Sequence, residues 1–221
     1  MSQITDETIL LLANAEWDWS NRVNCHHIAK RLAQNNRVVF VDTIGGRTPA
    51  PREFGKVWRR VKRIAGGARH INDNLTIISP FVVPIYGSER AREWNTALLV
   101  QQIRRVLPRD ARPILWIFLP AYVGMVGKFN EKLVIYHCID EHAANPNVPA
   151  VQVREREVRL LKIADLVFTS SRPLFDDKRA FNPNTFYLAN VADAELFVLT
   201  RDPSLPIPDD VKDLPHPMAG F

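Results

Sequence analysis

Leu133-Val134-Ile135-Tyr136-His137-Cys138-Ile139-Asp140-Glu141-His142 runs from four apolar or aromatic residues into two histidines, a cysteine and two carboxylates, with no glycine or proline between them. A continuous apolar run of this length reads as a strand covered on both faces, as in a parallel sheet. Ligands of open parallel sheets collect beyond the carboxyl ends of the strands. The segment is therefore the first candidate for a functional edge.

Six further stretches repeat the apolar pattern on either side of it: 8–14 (TILLLAN), 37–42 (RVVFVD), 74–79 (NLTIIS), 113–119 (PILWIFL), 165–169 (DLVFT) and 185–188 (TFYL). Helical spacing of apolar residues fills the gaps at 22–34, 88–107, 150–164 and 173–181, with a shorter helix opening at Pro120 and reaching Phe129. Ser88 and Ser171 stand where caps belong, Pro173 suits a first turn, and Pro108 ends the long helix. Strands alternating with helices predict an α/β domain, a doubly wound and mostly parallel sheet of about seven strands.

Composition narrows the class. The chain has 221 residues, 46% of them hydrophobic, enough for a substantial core. Its two cysteines, Cys25 and Cys138, form no disulfide framework. The polar, acidic start resembles no secretory signal, and the apolar runs are too short to cross a bilayer. These features predict a cytoplasmic protein that can sit peripherally on the inner membrane face. No Gly-x-Gly-x-x-Gly follows either of the first two strands, which argues against a nicotinamide enzyme.

The net charge of +5 is concentrated. Seven Lys or Arg residues lie between Arg52 and Arg69, against one acid, Glu53. Phe54, Val57, Trp58, Val61, Ile64 and Ala65 form one helical stripe there, ringed by Lys56, Arg59, Arg60, Lys62 and Arg63. Such a helix fits an anionic membrane surface, with Trp58 in the apolar layer, and equally fits packing on the sheet. Cations confined to one short helix speak against nucleic acid as a partner. After Phe197, Pro203, Pro206, Pro208, Pro215 and Pro217 mark a linker. The expected organisation is an α/β domain over 1–197 and a Pro-rich linker over 198–221.

Four pieces in this order carry a family resemblance: the turn and helix from Trp17 through Arg22 and His26, VIYHCIDEH, ADLVFTSSRPL (164–174) and LANVADAELF (188–197). Together they resemble the N-terminal half of group 1 glycosyltransferases of the GT-B fold, of the bacterial cell-surface polysaccharide type. The last piece departs from that family's Asn-Gly-Val-Asp element by lacking the glycine. The resemblance implies a Rossmann-like acceptor-binding domain. It also implies that the nucleotide-sugar donor is held by a second domain, missing here or carried on another chain, so this chain alone would bind no cofactor and would be inactive. The reaction implied is sugar transfer to a cell-envelope glycan or lipid-linked acceptor. An alternative is a non-enzymatic, membrane-attached acceptor-binding subunit that recruits a separate donor-binding chain. A third reading is a self-sufficient α/β enzyme using Asp140 or Glu141 as base.

If the sheet is right, the residues after each strand share one edge. Trp17, Trp19 and Tyr122 offer flat rings to a sugar acceptor, although the tryptophans equally suit packing on the first helix. Arg22 and His26 can hold an anionic group near a helix start or face solvent. Asp140 and Glu141 are the catalytic candidates; capping, or ion pairs with Arg154 or Arg156, would occupy them otherwise. Ser170, Ser171, Asn190 and Asp193 would face the cleft between domains, the serines being equally suited to capping. No metal site is expected, because soft ligands do not recur as spaced pairs. Nothing marks Cys138 as a nucleophile with a lowered pKa.

Overall fold

Ile9, Leu10, Leu11 and Leu12 are wholly buried, which requires both faces and both edges of their strand to be covered. That strand, β1 (Thr8–Leu12), is the centre of the sheet. It pairs in parallel with β2 (Arg37–Val41) on one side and with β5 (Ile114–Ile117) on the other. A computed structural model describes residues 4–44, 67–82, 89–146, 148–191, 194–199, 201–202 and 204–215. The basic segment with Lys56, Trp58, Arg59, Arg60, Lys62 and Arg63 lies outside the described residues, as does Asp193.

The remaining strands are β3 (Arg69–Asn72), β4 (Leu75–Ile78), β6 (Leu133–Cys138), β7 (Leu166–Thr169) and β8 (Thr185–Tyr187). The order is β3-β4-β2-β1-β5-β6-β7-β8, parallel throughout except for β3 against β4. The α/β doubly wound architecture is as the sequence predicts, with eight strands in place of seven. The additional strand, Arg-His-Ile-Asn, is exposed along its whole length and has no apolar face for a pattern to reveal. It closes the sheet edge with polar groups, a common protection against edge pairing. His70 Nδ1 meets Thr76 Oγ1 across the ladder at 3.0 Å.

Alternation along the strands divides the core in two. Ile9, Leu11, Phe40 and Trp116 face α1 (Asn24–Leu32) through Cys25, Ala29 and Ala33. Leu10, Leu12, Val41, Ile117 and Tyr136 face the opposite layer, built from α2 (Glu89–Arg104), α3 (Ala150–Ile163) and α4 (Arg172–Lys178). The segment after β5 is a 3₁₀ helix over Pro120–Met125, shorter than the helix to Phe129 that the sequence predicts. Buried asparagines close the helix ends: Asn182 donates to the Leu161 and Ala164 carbonyls at 2.8 and 2.7 Å, and Asn36 donates to Leu32 at 2.9 Å. Both satisfy carbonyls that a terminating helix leaves open.

Residues fall into two compact units, Met1–Ala189 and Asn190–Phe221. The second contains α5 (Ala194–Leu199), with Phe197, Val198 and Leu199 exposed, followed by turns and a Lys212–Asp209 ion pair at 3.0 Å.

Beneath α3 and α4 sits a buried ionic hub. Lys178, with 0% exposure, places Nζ 2.9 Å from Glu141 Oε2, 2.9 Å from Glu157 Oε2 and 2.8 Å from Asp177 Oδ2. Glu157 also accepts from the Tyr136 hydroxyl at 2.8 Å, the Cys138 thiol at 3.5 Å and Arg154 at 2.9 Å. Arg154 forks onto both Asp177 oxygens at 2.7 and 2.8 Å. Burial alone would neutralise Glu157, but its hydrogen bonds from Lys178, Tyr136 and Arg154 outweigh burial and hold the carboxyl below its ordinary value. Burial likewise opposes the charge on Lys178, and its three carboxylate neighbours reverse that.

Removing one partner of such a pair leaves an uncompensated buried charge. Lys178→Met should therefore cost roughly 3–5 kcal/mol in urea unfolding, whereas Lys178→Met with Glu157→Leu should recover most of that loss. Asp177, held down to about 2 chiefly by its Arg154 hydrogen bond, stabilises the fold above the ordinary carboxylate range. Its contribution should be lost as pH falls from about 4 toward 2. In Asp177→Asn the acid limb of a stability profile over that window should flatten.

Candidate functional site

From β1 the chain builds outward to β2 and β4, then returns across the sheet to place β5 on the other side of β1. The strand order reverses there, and the carboxyl ends of β1 and β5 flank the crevice where doubly wound sheets bind ligands. The edge is defined by the residues leaving β1 (Ala13 to Trp17), β2 (Asp42), β5 (Phe118 to Tyr122) and β6 (Ile139 to His142).

Most of the polar groups at this edge hold the loops in place. Asp42 is buried and accepts from the Trp17 backbone N–H at 2.7 Å and the Ser79 hydroxyl at 2.5 Å. The buried Tyr122 hydroxyl accepts from the Ile44 N–H at 3.2 Å, with the Ala13 and Asp42 carbonyls 3.5 and 3.4 Å away. One phenol thus ties the ends of β1, β2 and β5 together.

The first loop is equally self-contained. Trp17 is buried and packs edge-on against Phe40, with ring centroids 5.1 Å apart. Arg22 donates to the Trp17 carbonyl and lies over its indole. His26 Nδ1 accepts from the Val23 N–H at 3.0 Å, which fixes the proton on Nε2, 3.0 Å from the Glu16 carbonyl. The ring caps α1, and burial lowers its pKa. Trp17, Arg22, His26 and Tyr122 therefore spend their contacts on the fold. Trp19 differs: it is 54% exposed and available to a ligand.

The predicted catalytic pair is split. Glu141 is drawn to Lys178, a partner the sequence does not indicate, and so anchors the loop after β6 to the ionic hub. Asp140 is exposed, and its carbonyl accepts from the Cys138 thiol at 3.4 Å. Ser170 donates to the Ile139 carbonyl at 2.7 Å, and Ser171 caps α4 through the Leu174 N–H. Asn190 belongs to the second compact unit. Burial pushes the Cys138 thiol up to about 12 and Cys25 likewise, which makes both poor nucleophiles. Among the described residues no group of three or more His, Cys, Asp or Glu side chains is placed to hold a metal, and no helix is long and apolar enough to cross a membrane.

Two groups at the crevice have unmet hydrogen-bonding capacity among the described residues. Asn14 Oδ1, just past β1, and His142 Nε2, in the loop after β6, are both buried without a partner. Buried polar atoms are rarely left so, and each such atom calls for an explanation. Register brings their surroundings together. Leu12 pairs with Ile117, and the Phe118 N–H donates to the Leu12 carbonyl at 3.1 Å, so Asn14 leaves β1 beside the Phe118–Leu119 backbone. The Phe118 carbonyl lies near the His142 ring and favours its charged form. Burial lowers the His142 pKa, against the opposing pull of Glu157, Asp140, that carbonyl and Glu141. The imidazole is neutral with carboxylates close by. In the sequence His142 closes the 133–142 stretch with no role assigned to it, and Asn14 is only a strand end; a polar residue closing an otherwise apolar strand is the signal that marks it.

A second unpartnered histidine, His137, has both ring nitrogens buried between Phe118 and Phe168 on the α1 face. Burial lowers its pKa to about 4.

No family model matches the chain, and no curated protein matches it. Among solved structures, a sucrose-phosphate synthase from Thermosynechococcus elongatus aligns over 88% of this chain and 95% of that chain, at 11% identity and a TM-score of 0.48. Agreement at that level decides neither fold nor activity, and the architecture rests on the strand order itself.

Two titrations test the site. By histidine NMR, His142 should titrate below the ordinary 6.5, and Asp140→Asn should lower it further by removing a charge that favours imidazolium. Between 6.5 and about 4 the unfolded chain protonates its counterpart of His137 and the folded protein does not. Stability from this residue is therefore present above 6.5 and lost as pH falls through that window, by roughly 3 kcal/mol. His137→Phe should remove that part of the slope.

Proposed function

We propose that this chain is the acceptor-binding part of a glycosyltransferase acting on a cell-envelope glycan or lipid-linked acceptor, with a nucleotide sugar as donor. A fold of this kind hosts many activities, so the reading rests on the site. The observation that carries it is the neutral His142 with an unpartnered Nε2 at the switch-point crevice, beside Asp140. The ordered resemblance of the Trp17 to His26 turn, VIYHCIDEH, ADLVFTSSRPL and LANVADAELF to the N-terminal half of group 1 enzymes supports the same reading.

The chemistry follows from the tautomer. In the tautomer that carries its proton on Nδ1, the unpartnered Nε2 holds the lone pair. An acceptor hydroxyl entering the crevice donates to that nitrogen, and its proton passes there as the oxygen bonds to the anomeric carbon of the donor. The anomeric carbon–phosphate oxygen bond breaks, and the nucleoside diphosphate leaves with the electron pair. Asp140 lies where it steadies the resulting imidazolium. Glu141, held by Lys178, fixes the loop that carries them. Asn14 Oδ1 accepts a second acceptor hydroxyl, and exposed Trp19 offers a face to a sugar ring. The donor is supplied by a further nucleotide-binding domain, on this protein or on a partner. Attachment to an anionic membrane through the basic segment around Arg59 completes the proposal.

Sugar transfer from a panel of nucleotide sugars to lipid-linked oligosaccharide, measured with the full reading frame expressed in membranes, tests this. His142→Ala should lower kcat about 10²- to 10⁴-fold, and Asn14→Ala should mainly raise KM. Unchanged transfer by His142→Ala would overturn the assignment. Turnover of a nucleotide sugar by the 221-residue chain alone would overturn the division of acceptor and donor between domains.

A further inference from the structure

A second concavity lies on the α2–α3 side of the sheet, a cleft of about 780 Å³ enclosed by α2, the Pro120–Met125 turn and α3. Six cations line it, Arg92, Arg104, Arg105, Lys128, Arg156 and Arg159, against one acid, Glu93. Elsewhere on the same helix, charge is matched: Arg154 is saturated by Asp177 and Glu157. In the cleft, Arg105, Lys128 and Arg159 have no carboxylate partner among the described residues. Arg104 is held in place by donating to the Lys128 carbonyl at 2.6 Å. Gathering like charges around a concave surface raises the local potential and costs repulsion that a bound anion relieves.

The walls favour a compact ligand. Gly124 of the turn lies against Thr96 of α2, where even an added Cβ would sit at an ordinary 3.4 Å from Thr96 Oγ1, so the turn and the helix are in contact. Gln101 adds an amide at the rim, while Val100 and Val123 form an apolar wall. The volume lies within the range of small-ligand sites. Guanidinium forks match phosphate oxygens in pairs, and several forks around one cavity suit a group with more than one phosphate charge.

We propose that this cleft binds a diphosphate group. The assignment does not depend on the function proposed above, because the cleft lies beside α2 and α3 and shares none of Asn14, Asp140 and His142. The diphosphate has two sources, a free sugar or nucleoside diphosphate and the headgroup of a polyprenyl diphosphate, and both present the same chemistry.

Titration calorimetry with inorganic pyrophosphate, together with flotation on phosphatidylcholine vesicles with and without a polyprenyl diphosphate, tests the proposal. Arg105→Gln with Arg159→Gln should weaken binding at least about tenfold. Both residues are exposed, and an unchanged circular dichroism melt will show the variant is folded. Lys30→Gln with Arg37→Gln, on α1 and at the start of β2, should leave binding within about twofold. Variant-sensitive binding of pyrophosphate, or of the doped vesicles only, supports the cleft and identifies the source. Failure to bind either probe, binding unaffected by the cleft variant, or equal flotation on phosphatidylglycerol vesicles lacking a diphosphate would overturn it.

Discussion

The ion pair between Lys178 and Glu157 is the constraint on which the β6 side of the molecule depends. Neither charge reaches water, so each exists only because the other is present with Tyr136, Arg154, Asp177 and Glu141 around them. This ties the end of β6 to α3 and α4 through directional contacts, where hydrophobic packing alone would tolerate sliding. Glu141 is the one member of the group that belongs to the loop of the candidate site, so the position of His142 is inherited from a network built behind it.

The division of labour at the sheet edge follows the same logic. Tyr122 and Asp42 are held by backbone groups at the ends of β1 and β2 and by the Ser79 hydroxyl, and His26 and Trp17 are locked into the first turn. Rigid, satisfied residues surround two unsatisfied ones, Asn14 and His142. Preorganised sites have this character: the supporting shell has no remaining hydrogen-bond capacity, and the capacity left over faces the ligand.

How far the sequence reveals this depends on whether a residue's neighbours are local. Seven strands were legible because aliphatic runs such as TILLL and LVIYHC are needed wherever a parallel strand is covered on both faces. β3 was not, because an exposed edge strand needs no pattern. Asp140 and Glu141 were legible as charged residues closing a buried strand, but Lys178 as the partner of Glu141 was not: 37 residues separate them, and a lysine ending a short helix ordinarily faces solvent. Glu157 gave a fainter sign, lying one turn before Leu160 and Leu161 on the buried side of α3. The aromatic residues were correctly placed on one edge. Whether each ring is core or contact depends on packing across the sheet, which separates buried Trp17 from exposed Trp19.

The place of β1 has a consequence for how the protein is made. One of its edges is covered promptly by β2, but the other waits for β5, since Ile9 pairs with Ile114. At ordinary synthesis rates that interval is roughly 5–20 s. For that time the most apolar strand in the chain has a bare edge, open to chaperones or to the wrong strand. The central position that gives the finished sheet its switch-point crevice thus leaves the nascent chain with an uncovered strand edge through that interval.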